Sequence, residues 1–171
     1  MAGGLNSAFF GGNMDYYRGK VVYSEGFLSI MEQFGTSGGG DHFGSAVLVT
    51  HRGNDKTIAH EFEHMRQTEA VGCRFYHIFD YLSENDWSPF PNDAYYTNSR
   101  EMDAYFIGYL EEHGHIDIYG NWLDEPTEEN IRKWSDDFYE QYKNDRSKYR
   151  DAIEAKFGTE WVWHKNWWME Y

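Results

Sequence analysis

Cysteine is nearly absent from this chain: Cys73 stands alone among 171 residues. No intrachain disulfide can form, which suits a reducing compartment or a domain delivered without oxidative folding. A lone thiol on an expected helix reads as a small buried residue rather than a nucleophile. Positive charge is scarce too, with 15 Lys+Arg against 29 Asp+Glu and a formal net charge of −14. That balance argues against nucleic acid as a partner, which needs a clustered basic surface, and against adsorption to anionic membranes. The acidity itself reads as solubilising charge and says little about substrate. No run approaches the ~20 apolar residues of a membrane helix.

Residues 1–12 lack the basic start and apolar run of a signal peptide. Their glycine content also suits the edge of a domain within a longer parent. The expected location is the cytoplasm or a larger exported protein. No internal repeat and no dividing linker is evident, so residues 1–171 are expected to form one domain.

What the chain does hold is aromatic side chains: seven Trp, fourteen Tyr and twelve Phe, 19% of residues. Each buries a large area, so the core is expected to be aromatic rather than aliphatic. Residues 1–19 read as irregular. Lys20–Tyr23 reads as a strand, 26–34 as strand or short helix, and Gly38–Gly40 as a flexible break. Ser45–His51 is the clearest strand.

Asp55 caps a helix expected from about Lys56 to Leu82, after a turn at 52–55. Ser88–Asp93 is a Pro-bearing loop, and a second helix runs from about Ser99 to Glu112. Residues 114–121 are a short strand or a loop. Thr127 opens a long helix expected to continue to about Phe157. Its Ile131, Trp134, Phe138, Tyr142 and Tyr149 form a packing stripe. Glu128-Glu129 and Asp136-Asp137 form a solvated face. The expected class is α+β, with a small mixed or antiparallel sheet beside two site-bearing helices.

The chemistry lies at His60-Glu61-Phe62-Glu63-His64. Residues four apart on a helix are displaced by about 40° and 6 Å, so both imidazoles point to one side. Such a pair can hold a tetrahedral zinc and leave room for a third ligand and a water. Glu61, from the adjacent face, is placed to act as general base on that water. Helical phasing puts Ile58, Phe62 and Met65 on one stripe and the histidines on the opposite side. The bland alternative is a solvated helix whose His and Glu pair with Arg66 and Lys56.

The third ligand decides the class. The extended form of the motif needs Gly at 67 and His at 70, where this chain has Gln67 and Ala70. Glu101, near the start of the second helix, is the best candidate. Ala104, Tyr105 and Gly108 share its face, and the two small residues allow the helices to approach closely. Glu101 can alternatively close an ordinary capping box with Asn98. Asp103 is the rival ligand but points about 200° away. His77, His113 and His115 are weaker candidates.

Residues 60–67, with Ser99-Arg100-Glu101-Met102-Asp103-Ala104-Tyr105, resemble the compact gluzincin metallopeptidases. In these, a Glu-x-x-Ala glutamate follows the two-histidine helix. The resemblance covers about residues 42–112 and implies a zincin-like fold. It implies one zinc ion on His60, His64 and Glu101, with Glu61 as base. It also implies that Ser45–Thr50 is the strand along which a peptide lies extended. Tyr105 stands where some relatives place an acidic residue, which implies a differently built outer shell, from Asp103 or Asp80. Similar small domains end large secreted or toxin-associated bacterial proteins.

The expected function is therefore peptide-bond hydrolysis by a zinc-activated water, acting on a protein or peptide. Tyr95, Tyr96, Tyr105, His113 and His115 are the candidates for stabilising the oxyanion. One alternative is a non-catalytic module binding protein or glycan through Trp161, Trp163, Trp167 and Trp168. The other is a zinc hydrolase acting on a non-protein amide such as a cell-wall peptide.

Overall fold

A computed structural model describes residues 13–17, 20–24, 40–43, 46–49, 55–70 and 93–163, with side chains described at 21–22, 55–67 and 94–163. Four strands come first: β1 (Asn13–Tyr17), β2 (Lys20–Ser24), β3 (Gly40–Phe43) and β4 (Ala46–Val49). They form one mixed sheet in the order β1-β2-β4-β3. The β1–β2 and β3–β4 pairs are antiparallel, whereas β2 and β4 run parallel with Val22 opposite Val47. Two expectations change here. Residues 13–17 are a strand rather than irregular, and Gly40 opens a strand instead of belonging to a break.

Helices dominate the rest, giving an α+β arrangement. Helix α1 (Asp55–Ala70) packs on β3 and β4. It begins with Asp55 inside its first turn, where an acidic side chain favours the helix dipole. Its expected extension to Leu82 lies outside the described residues, as do 26–34, Cys73 and the loop at 88–92. A short helix, α2 (Asp93–Tyr96), leads to α3 (Ser99–Glu112), whose ends match those expected. Helix α4 (Glu128–Asp145) begins at Thr127, whose side chain accepts from the Asn130 amide.

The expected long terminal helix is broken. Helix α4 stops before Arg146 (φ −118°, ψ 43°), a 3-10 turn follows at Ser147–Tyr149, and α5 spans Arg150–Phe157. The Asn144-Asp145-Arg146-Ser147 stretch is poor in strong helix formers apart from its arginine. At the break the Arg146 guanidinium lies over the rings of Tyr142 (3.9 Å) and Tyr105 (4.2 Å). That cation–π contact favours a turned-in side chain over helical continuation. Residues 114–121 are a turn-rich loop closed by an isolated bridge between Ile116 and Trp122.

The main core is aromatic, as its composition implies: Phe106, Tyr109, Trp134, Phe138, Tyr139, Tyr142, Trp161 and Trp163 are all buried. The Glu128-Glu129 and Asp136-Asp137 pairs are solvent-exposed. Trp161 and Trp163 are core residues, which leaves neither ring a broad face for a partner; Trp167 and Trp168 lie outside the described residues. A smaller cluster joins Val22, Ile58 and Met65, with Phe62 packed beside it, and so anchors α1 to the sheet. Among the described residues, no helix is long and apolar enough to cross a membrane.

Helices α1 and α3 pack antiparallel, with Gly108 against Lys56 and His60 at one end and Arg100 against Gln67 at the other. A Cβ on Gly108 would lie 3.0 Å from the Lys56 carbonyl oxygen and 3.7 Å from His60 Cβ. The absent side chain therefore sets the interhelical distance. Replacing Gly108 by Val is expected to destabilise the metal-free protein by about 1–3 kcal/mol. If the adjacent His60 holds a metal, as the sequence implies, that binding should weaken too. Urea unfolding and chelator competition test both, and wild-type values in each would contradict the packing argument.

Candidate metal centre

The antiparallel packing of α1 and α3 brings three predicted residues together. His60, His64 and Glu101 each offer a ligand atom, all within 4.8 Å of one another. The two Nε2 atoms are 3.1 Å apart. Glu101 Oε1 lies 3.4 Å from His64 Nε2, and Oε2 lies 3.6 Å from His60 Nε2. Donors at zinc distances of 2.0–2.2 Å in a tetrahedron are separated by about 3.3–3.6 Å. Glu101 turns one oxygen to each ring, and the separations of 3.1, 3.4 and 3.6 Å are near those values, so small side-chain adjustments would bring all three residues onto one ion.

Burial sharpens the fit. The His64 and Glu101 side chains are 6% and 3% exposed, and that of His60 12%. Glu101 Oε2 is buried and accepts no hydrogen bond from any described residue. Leaving a buried carboxylate oxygen without a partner is costly, and a cation between the three groups removes that cost. The capping-box alternative is half realised. Asn98 Oδ1 accepts from the Arg100 and Glu101 amides. The Asn98 amide, however, donates to the Tyr95 carbonyl at 3.2 Å, so it does not need the Glu101 carboxylate.

The surrounding residues hold these groups in place. The Tyr105 ring meets His60 edge-on, with centroids 4.6 Å apart, in place of an acidic partner. The Tyr95 hydroxyl hydrogen-bonds the Glu101 carboxylate. The Tyr142 hydroxyl donates to the Tyr96 carbonyl at 3.1 Å and so fixes the short helix that carries Tyr95. Glu61 is buried at 6% exposure and is near enough to favour the charged form of His64. Gln67, which the motif comparison used only to exclude another class, is 1% exposed and lies against His64. Its place one turn after His64 was the available signal.

Other expectations are corrected. Asp103 is buried but belongs to the neighbourhood of Glu63 and Arg66, outside the three-residue group. Burial, reinforced by Glu63, pushes its pKa well above the usual carboxylate range. His113 and His115 lie beyond the far end of α3, about 18 Å of helix rise from Glu101. There His113 Nδ1 meets the Tyr109 carbonyl (2.8 Å) and His115 pairs with Asp124 (2.6 Å). Both therefore lie outside the three-donor group. The bland alternative is met in part: Arg66 pairs with Glu63 of the motif through two contacts of 2.7 and 2.5 Å, whereas Lys56 pairs with Glu112 and both histidines face Glu101. His77 and Asp80 lie outside the described residues.

No family model, curated protein or solved structure matches this chain.

Electrostatics couples the three groups. Burial works against a charged His64, but the Glu101 carboxylate outweighs it and raises the pKa from 6.5 to about 9. Burial likewise opposes an ionised Glu101, yet His64 and then His60 lower its pKa from 4.5 to about 2. Without a metal, a proton on His64 thus lies within the three-donor group. The His64 share of stability is fully present below pH 6.5 and is lost as pH rises through about 9. The Glu101 share is present above pH 4.5 and is lost as pH falls through about 2. A metal bound at His64 would have to displace that proton. Zinc affinity, measured by chelator competition, is expected to climb from pH 6.5 to 9 while the metal-free melting temperature falls. A flat affinity across that window would contradict the coupling.

Proposed function

We propose that this chain is a zinc-dependent peptide hydrolase of gluzincin type, with His60, His64 and Glu101 as ligands and Glu61 as general base. The observation that carries the reading is the close three-donor group, with one carboxylate oxygen buried and without a hydrogen bond from any described residue. Two imidazoles and a carboxylate suit zinc, and three protein ligands leave a coordination position open. Bound there, zinc supplies Lewis acidity, which polarises a carbonyl group and acidifies water.

The chain's own residues do the rest. Glu61 takes the proton of the attacking water on its carboxylate and returns it to the leaving amine nitrogen. Tyr105 limits the tilt of the His60 ring, and Tyr95 holds the Glu101 carboxylate. Burial of His64 and Glu101 keeps bulk water from competing for them. The small mixed sheet beside α1 supports a zincin-like fold. Where the resemblance implied a peptide along residues 45–50, β4 has partners on both sides, in β2 and β3. We assign that role to the outer edge of β3, which pairs with no other described strand and packs beside α1.

The test is cleavage of a panel of unfolded proteins and peptides beside peptidoglycan fragments, with and without zinc. Zinc-dependent cleavage of peptide bonds supports the reading. Zinc-dependent turnover of only the cell-wall amides would redirect it to the alternative substrate. Tight zinc binding with no turnover of either class would contradict the enzymatic reading.

A further inference from the structure

Gln67 lies one turn beyond His64, and both ends of its amide are engaged. Its Nε2 donates to the Arg100 backbone carbonyl at 3.2 Å. A carbonyl oxygen only accepts, so the amide nitrogen must face Arg100 and the amide oxygen must face the other way. That oxygen, Oε1, lies 3.1 Å from His64 Nδ1. Nδ1 must therefore carry the hydrogen, and the neutral ring keeps its lone pair on Nε2. Nε2 is the atom turned toward His60 and Glu101.

We propose that Gln67 is the positioning residue of this centre: it selects the His64 tautomer that presents Nε2 to the metal. Through Arg100 it ties that choice to the helix that delivers Glu101. The proposal rests on the metal-centre reading above. A buried amide at this point in a helix interface is costly unless both ends are satisfied, and an apolar side chain would pack there more simply. Outer-shell partners of this kind hold ring orientation and ligand basicity, and their loss costs 10–100-fold in metal affinity. Here the partner comes from the ligand helix itself, so the spacing from His64 to Gln67 sets ring orientation locally.

Two substitutions separate positioning from packing. Gln67→Glu keeps an oxygen acceptor for Nδ1 and loses the donor to Arg100, whereas Gln67→Met loses both at similar volume. Chelator competition for zinc is expected to show Gln67→Met weakened by about 10–100-fold and Gln67→Glu, which keeps the acceptor for Nδ1 but turns an oxygen to the Arg100 carbonyl, weakened clearly less. Equal losses in both variants would assign Gln67 to packing and overturn the proposal. So would a folded Gln67→Met that binds zinc like wild type. Should Gln67→Met not fold, nitrogen NMR of histidine-labelled wild type decides. A hydrogen on Nδ1 and zinc on Nε2 of His64 is expected, and the reverse arrangement overturns the proposal. Wild type that binds no zinc would instead fail the metal-centre reading, which separates the two failures.

Discussion

Replacing Glu61 by Gln is expected to leave one equivalent of zinc bound and to remove turnover. The substitution is nearly isosteric and keeps a polar group at a position only 6% exposed, so packing changes little. What disappears is the carboxylate that accepts the water proton. Loss of a positioned general base costs typically 10²–10⁴-fold. Metal binding should survive for a further reason. The Glu61 charge is one of the influences that hold the proton on His64, so the amide makes that proton easier to displace. The variant is assayed against its zinc content, and cleavage at the wild-type rate would remove Glu61 from the mechanism.

Glu101→Gln has the second large effect, on the metal rather than on the chemistry. Glu101 is the only carboxylate in the three-residue group, and an amide oxygen is a far weaker donor to zinc. Ligand loss should exceed the 10–100-fold typical of outer-shell changes. We expect zinc affinity to fall by more than about 100-fold. The metal-free protein responds as well. Without the Glu101 charge, burial governs His64, whose raised pKa collapses toward or below its ordinary value. The stability loss between pH 6.5 and 9 should then shrink. Asp103→Asn is the matched control, since Asp103 lies with Glu63 and Arg66, and it should keep zinc. A zinc-free Asp103→Asn beside a zinc-loaded Glu101→Gln would reverse the ligand assignment.

The parts of this site that were legible in the sequence are those governed by helical periodicity. His60 and His64 share a face because of their spacing, Glu101 faces them because α3 begins where Asn98 caps it, and Gly108 permits close approach. The ends of α3 could be read because capping and apolar periodicity agreed there. Tertiary partners could not be read. The weak helix formers at 144–147 only permit the break at Arg146; its place depends on rings from α3 and α4 meeting the guanidinium. The strand at 40–43 contains a glycine suited to a flexible break, yet it is held by pairing with β4. His113 and His115 entered as candidates on residue type alone, and only the length of α3 separates them from Glu101. Gln67 was visible in the sequence, but its use required knowing that Arg100 lies opposite.

The central claim is that His60, His64 and Glu101 bind one zinc ion. Its most direct test is metal content together with X-ray absorption at the zinc edge. The account predicts one equivalent, with nitrogen and oxygen donors at about 2.0–2.2 Å, lost on Glu101→Gln and on His64→Ala. A protein that takes up no zinc, or whose zinc and spectrum survive both substitutions, would contradict it.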